Sequence, residues 1–169
     1  MTLRPFIIDK DYEHLQKWIT DERTHALWCA NRISYPLNKE ELTATLENDA
    51  RDWGGKAYTM FDEYERPIGF FVYSVNKNDN TGFLKFVVLD NSLRGQGVGS
   101  QMLQQISEFA FEQTGVSAMQ LNVFDVNLPA RKCYEKVGFV EDAMTPNVFV
   151  FQNEQWGRCH MVKYLGLSN

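Results

Sequence analysis

Gly95, Gly97 and Gly99 alternate through Asp90-Asn91-Ser92-Leu93-Arg94-Gly95-Gln96-Gly97-Val98-Gly99, between the apolar run Phe83 to Leu89 and a helical repeat of Val98, Met102, Ile106, Phe109 and Ala110. A strand that turns into a helix over residues without side chains can aim successive backbone N–H groups at one acceptor. The helix dipole then adds partial positive charge. This is the chemistry of a diphosphate cradle, with Arg94 supplying a full charge at its rim; a tight turn that needs glycine only for packing is the plainer alternative. Other phosphate loops fail on spacing. G-x-G-x-x-G requires glycine where Ser100 stands, and a Walker loop requires Gly-Lys-Ser/Thr.

Further along the chain, Asn127 opens a short helix with Pro129 in its first turn and Gly138 beyond its end. The Asn127 side-chain oxygen is expected to cap that helix, which leaves its amide nitrogen free to donate. Tyr134 follows on the same helix. A phenol, with a pKa of about 10, is a proton donor at neutral pH. Ala130, Cys133, Tyr134 and Val137 also share the i, i+3, i+4, i+7 spacing of a packing face, so the ring has a structural use as well.

The elements that must position these residues read as one α+β pattern over residues 1–169, without repeat or linker, and a single domain is expected. Thr2 to Ile8 reads as a strand and Asp11 to Ile19 as a helix. Thr20 to Pro36 is mixed. Asn38 caps a helix to about Asp49, with Glu41 answering as a capping box. Lys56 to Phe61 and Ile68 to Val75 form a hairpin around Glu65-Arg66-Pro67. Phe83 to Leu89 is apolar almost throughout, as in a central strand buried on both faces. Gly115 stops the helix after the glycine loop, and Ser117 to Phe124 is the next strand. Phe139 to Val140, Val148 to Phe151 and Trp156 to Tyr164 close the sheet, with a turn at Gln152-Asn153-Glu154.

Composition narrows the function. With 17 Lys+Arg against 22 Asp+Glu, a net charge of −5 and no basic block, the chain lacks the cationic footprint of a nucleic-acid binder. The acidic balance leans toward a cationic partner. No apolar run approaches a membrane span and the amino terminus carries charges, so no membrane association is expected and a cytoplasmic location is. Cys29, Cys133 and Cys159 have neither disulfide nor zinc spacing, His14, His25 and His160 lack metal-ligand spacing, and no G-x-S-x-G is present; metal and serine chemistry are not expected.

Arg94, Gly97 and Gly99 spell R-x-x-G-x-G, and Leu121 through Phe139 follows L-x-V-x-x-x-N-x-x-A-x-x-x-Y-x-K-x-G-F. On these two motifs the chain resembles the GNAT superfamily of acetyl-CoA-dependent N-acetyltransferases. Leu3-Arg4-Pro5, Tyr35-Pro36-Leu37 with Glu41-Leu42, and Trp156-Gly157 are similar to the branch typified by ribosomal-protein N-terminal acetyltransferases (RimJ/RimL-like). The resemblance implies a mixed, mostly antiparallel central sheet of six to seven strands, flanked by helices, with a parallel β-α-β crossover at splayed central strands. It implies acetyl-CoA as co-substrate, no metal, and direct transfer to a primary amine of a small molecule or a peptide N-terminus. A catalytically silent acyl-CoA-binding or regulatory module is the alternative, and a homodimer through the closing strands is the assembly to expect.

By the same resemblance Tyr134 protonates the departing thiolate, and Val87, Val88, Leu89, Arg94, Gly95, Gln96, Gly97, Val98, Gly99, Ser100 and Asn127 bind the cofactor. Backbone from Phe86 to Leu89 pairs with pantetheine, with a Val88 or Leu89 amide on the thioester carbonyl. Trp28 and Tyr35, along with Trp53, fall where the family places its acceptor cleft. A lysine-like amine costs about 4 to 5 kcal/mol to deprotonate at pH 7. The chain departs from members that carry a carboxylate on the fourth strand, since Lys85 is the only charge in Phe83 to Leu89. Asp125, Asp21 and Glu22 are candidates for the base, each with an ordinary use at a turn or helix end, and none is assigned.

Overall fold

A computed structural model describes residues 1–166. Its elements run β1 (Thr2–Pro5), α1 (Ile8–Trp18), α2 (Glu22–Cys29), α3 (Lys39–Trp53), β2 (Lys56–Phe61), β3 (Pro67–Asn76), β4 (Thr81–Leu89), α4 (Val98–Glu108), β5 (Ala118–Phe124), α5 (Leu128–Lys136), β6 (Val140–Phe151) and β7 (Glu154–Tyr164). The seven strands form one sheet in the order β1-β2-β3-β4-β5-β7-β6. Only β4 and β5 are parallel, joined across α4, and the other neighbours are antiparallel. The expected sheet and its crossover are therefore present.

Alternation along β3 divides the core in two, because successive side chains leave a strand on opposite faces. Phe70 and Val72 join Leu15, Trp18, Trp28 and Leu42 under α1 to α3. Phe71 and Tyr73 join Met102, Ile106, Met119 and Phe139 under α4 and α5. A Cβ on Gly69 would lie 2.5 Å from Met102 Sδ, so its missing side chain is what lets α4 approach the sheet.

The strand buried on both faces is β3, whose residues 68–74 are all buried, and not β4 as its apolar sequence suggests. β4 holds the central place, but six of its nine residues are only partly buried because they border a cleft. Its parallel pairing with β5 covers Thr81 to Leu84 and stops there. Beyond that point Phe86 adopts a φ of 50°, the register with β3 slips, and β4 turns away from β5. The Trp28 indole N–H donates to the Phe86 carbonyl at 2.8 Å and fixes this bulge.

Other expectations are corrected locally. The mixed stretch 20–36 contains α2, started by Asp21, whose carboxylate accepts from the Thr24 amide at 2.8 Å. Asn38 caps α3 as expected, accepting from the Glu41 amide at 2.9 Å, but no capping box forms. The Glu41 carboxylate accepts instead from the Ser34 amide and hydroxyl, at 2.7 and 3.0 Å. α4 ends in a π-helical turn over 109–113 before Gly115, and the two short closing strands are one bulged strand, β6.

Candidate active site

The divergence of β4 from β5 opens the molecule at its centre. On the α4 and α5 side lies a cavity of about 700 Å³, lined by Val87, Val88 and Leu89, by the glycine loop, and by Asn127, Cys133 and Tyr134. On the other side lies one of about 340 Å³, walled by Phe83, Phe86, Phe124, Val148 and Phe149. Trp28, Val87, Asn127, Ala130 and Tyr134 line both, so the two spaces adjoin at the Tyr134 ring.

The loop is built as its glycines require. Gly95 and Gly97 sit at φ values of 76° and 81°, with nothing within 4 Å of where a Cβ would be; conformation rather than space demands glycine there. Gly99 has ordinary φ and needs smallness, since its Cβ would stand 3.3 Å from Cys133 Sγ. The first backbone bond into α4 is from the Gln101 amide to the Gly97 carbonyl. The amides of residues 95–100 therefore meet no acceptor among the described residues, and they stand at the positive end of α4.

Arg94, Lys132 and Lys136 line the same cavity, and none is in an ion pair among the described residues. Unpaired N–H groups in series, ringed by free cations, suit a polyanion. Lys132 and Lys136 were legible as an i, i+4 pair one helical turn past Asn127, yet motif reading alone passes over them. Gln96 and Val98 do not line the cavity. The Gln96 side chain donates back to the Ser92 carbonyl at 2.8 Å, and Val98 packs against the core.

Asn127 does not cap α5: its side chain makes no capping bond, and Pro129 stands in the first turn. The expected division of the amide between cap and ligand does not arise, and the whole group faces the two cavities. The Tyr134 side chain is 8% exposed and packs edge-on to Phe139 at 5.8 Å. Its hydroxyl has no hydrogen-bond partner among the described residues, but it is not sealed either. Arg131 Nε is the one fully buried, unpartnered side-chain nitrogen or oxygen among the described residues. Burial, with a smaller contribution from Cys133, holds the phenol well above its usual pKa, so it stays protonated.

On β4 the Asp90 amide donates to the Ile68 carbonyl at 2.8 Å. Ladder alternation makes Val88 and Phe70 the next bonded pair and turns the Leu89 backbone toward the open side. Of the two amides expected near a thioester, Leu89's is the one available. The Phe86 carbonyl is taken by Trp28.

No carboxylate lines either cavity. Asp125 accepts from the Gly157 amide at 2.8 Å, Asp21 is the α2 cap, and Glu22 is exposed on α2. Lys85 reaches Asp49 on α3 at 2.6 Å, a nearly buried pair. Tyr35 is 43% exposed and packs at a tilt against His25, and Trp53 is 71% exposed; neither lines the cleft, whereas Trp28 does. No group of three or more metal-ligating side chains occurs among the described residues.

Comparison with known proteins agrees with this geometry. YwnH of Bacillus subtilis (strain 168), whose name assigns it provisionally to phosphinothricin acetylation, is 32% identical over 80 residues, 47% of this chain and 46% of its own length. The thialysine N-epsilon-acetyltransferase of Bos taurus is 33% identical over 69 residues, 41% of this chain and 39% of its own. The matches thus span less than half the length of these curated relatives. Among solved structures, the spermidine N-acetyltransferase of Vibrio cholerae in complex with CoA and spermine superposes with a TM-score of 0.80 at 16% identity, over 96% of this chain and 94% of that one. That likeness is one of fold. A family model described as "Acetyltransferase (GNAT) family" matches residues 12–139, a span holding the bulge, the glycine loop, Asn127 and Tyr134, and the chain belongs to that family.

Proposed function

We propose that the protein is an acetyl-CoA-dependent N-acetyltransferase that passes the acetyl group to a primary amine by direct attack in a ternary complex. One observation carries the reading: a cavity with unpaired loop amides and free cations meets a second, aromatic cavity at a protonated, unpartnered phenol. When bound, acetyl-CoA supplies the activated thioester and a thiolate leaving group.

The residues present fit that co-substrate. The amides of Gly95, Gln96, Gly97, Val98, Gly99 and Ser100 hold its diphosphate, and Arg94, Lys132 and Lys136 neutralise its charge. The edge formed by Val87, Val88 and Leu89 takes the pantetheine arm as an added strand, Asn127 donates to that arm, and the Leu89 amide polarises the carbonyl. Tyr134 gives its proton to the departing sulfur. Trp28 forms the wall between the two reactants. With no carboxylate in reach, the amine's proton leaves through water.

The acceptor is a primary amine of a small molecule or a peptide N-terminus. The reaction belongs in the cytoplasm, where acetyl-CoA is available; no helix among the described residues is long and apolar enough to cross a membrane. The protein works as a homodimer through β6, an exposed edge strand carrying exposed Val140, Met144, Val148 and Val150.

The missing carboxylate favours a second reading, an acyl-CoA-binding module without turnover. Free thiol released from acetyl-CoA in the presence of a panel of amines separates the two. Amine-dependent release is expected; coenzyme A binding without release on any acceptor would establish the silent module.

A further inference from the structure

The smaller cavity has an unusual charge. Its ionisable side chains other than Tyr134 and Cys29 are Arg32, Lys85 and Arg158. Lys85 is neutralised by Asp49, with contacts of 2.6 and 2.7 Å to its two oxygens. Arg32, just past α2, and Arg158, on β7, have no acidic partner among the described residues. The Arg32 guanidinium lies 5.9 Å from the centre of the Phe86 ring, at the wall of this cavity. A chain with net charge −5 thus places two uncompensated arginines, and no acid, around the space beside Tyr134.

Taking that space as the acceptor site of the acetyltransferase proposed above, we infer that the acceptor is an amine carrying its own anionic group and an apolar side chain, as in an apolar amino acid. Arg32 and Arg158 hold the anion and Phe83, Phe86, Phe124 and Phe149 hold the side chain. A guanidinium is built for a carboxylate or an oxyacid, which it meets with two parallel N–H donors. A polyamine is the wrong shape of charge for this site. Each of its ammonium groups would meet like charge in this pocket, with no carboxylate lining it to pair with. The acidic overall balance, which leaned toward a cationic partner, therefore does not describe the site. The same two cations lower the pKa of an ammonium nearby, because like charge disfavours the protonated amine. They supply part of what a missing base would otherwise do.

The test uses the full chain loaded with coenzyme A, so that it does not depend on turnover. N-acetyl-phenylalanine, N-acetyl-leucine and N-acetyl-methionine, each with its neutral carboxamide, are titrated calorimetrically. In parallel, phenylalanine, leucine and methionine, their amides, and spermidine are offered with acetyl-CoA. At least one acid is expected to bind at least about tenfold more tightly than its amide, the scale of one charge-assisted contact. Arg158→Ala and Arg32→Ala should each reduce that preference while leaving coenzyme A affinity and melting temperature unchanged. Equal affinity for acid and amide, binding of neither, or a spermidine rate above that of every amino acid overturns the inference. Failure of coenzyme A itself to bind is the distinct failure of the acetyltransferase reading, and takes this inference with it.

Discussion

Replacing Tyr134 by phenylalanine removes one oxygen and leaves the ring, its edge-on contact with Phe139 and the helix face it completes. Because the hydroxyl has no hydrogen-bond partner, no protein–protein bond is lost, and the melting temperature should change by no more than about 2 °C, the equivalent of under roughly 1 kcal/mol for a chain this long. The rate should fall far more. A positioned general acid is worth about 10²- to 10⁴-fold, or roughly 3 to 5 kcal/mol of barrier. The pH dependence has a defined sign. An acid acts while protonated, and burial raises this phenol above its ordinary value of about 10, so wild-type kcat has no Tyr134-linked fall until the pH passes beyond that value. Without an acid the sulfur departs as a bare thiolate at every pH, so the defect of the variant should persist across the range in which the wild-type phenol stays protonated. Thiol release from acetyl-CoA, followed from pH 6 to about 10 for both proteins, measures all of this. A variant within about twofold of wild type at neutral pH would refute the role, since no acid worth 10²-fold could then be acting. A variant equally slow but unfolded would show the hydroxyl to be structural.

Gly97→Ala separates backbone conformation from space. Its Cβ would meet nothing within 4 Å, but a φ of 81° costs an L-residue about 1 to 2 kcal/mol. A melting temperature lower by about 2 to 8 °C, or coenzyme A binding weaker by about 5- to 30-fold, is expected from thermal melts and calorimetry. Remote from the cleft, Asp11 is buried and accepts from Arg4, the Ile7 amide and Thr59 at 2.7 to 2.9 Å. Burial opposes its ionisation, but these bonds prevail and hold its pKa below the ordinary carboxylate value of about 3.9. The stability it contributes is therefore present above that pH and is lost as pH falls through the lower, folded value. Asp11→Asn should melt lower at pH 7, by roughly 1 to 3 kcal/mol of stability, and lose this part of the acid sensitivity. An unchanged melting curve against pH would contradict it.

What the sequence revealed and what it hid divide along chain distance. The glycine loop, the helix start at Asn127 and the phenol at Tyr134 lie within 40 residues of one another, and each announces itself by local chemistry: positive φ, a helix terminus, a ring at helical spacing. The sheet followed from apolar periodicity. Three things did not. α2 has little amphipathic contrast, because the face it buries, at His25, Trp28 and Cys29, includes a polar imidazole and is only weakly apolar in sequence. The exposure of β4 depends on a bulge at Phe86 that another element, through Trp28, holds in place. Arg32 and Arg158 share a cavity only because β7 pairs with β5, setting Arg158 opposite Phe124. Tyr35 misled for the same reason: an aromatic in the right segment packs against His25 away from the cleft.

The central claim is that backbone N–H groups of residues 95–100 grip a diphosphate. Calorimetric titration of the wild-type protein with coenzyme A, and separately with pantetheine, which has the thiol arm but no diphosphate, tests it most directly. Coenzyme A should bind at least about 100-fold more tightly, as two or more charge-assisted contacts require. Equal affinities would mean the loop holds no anion.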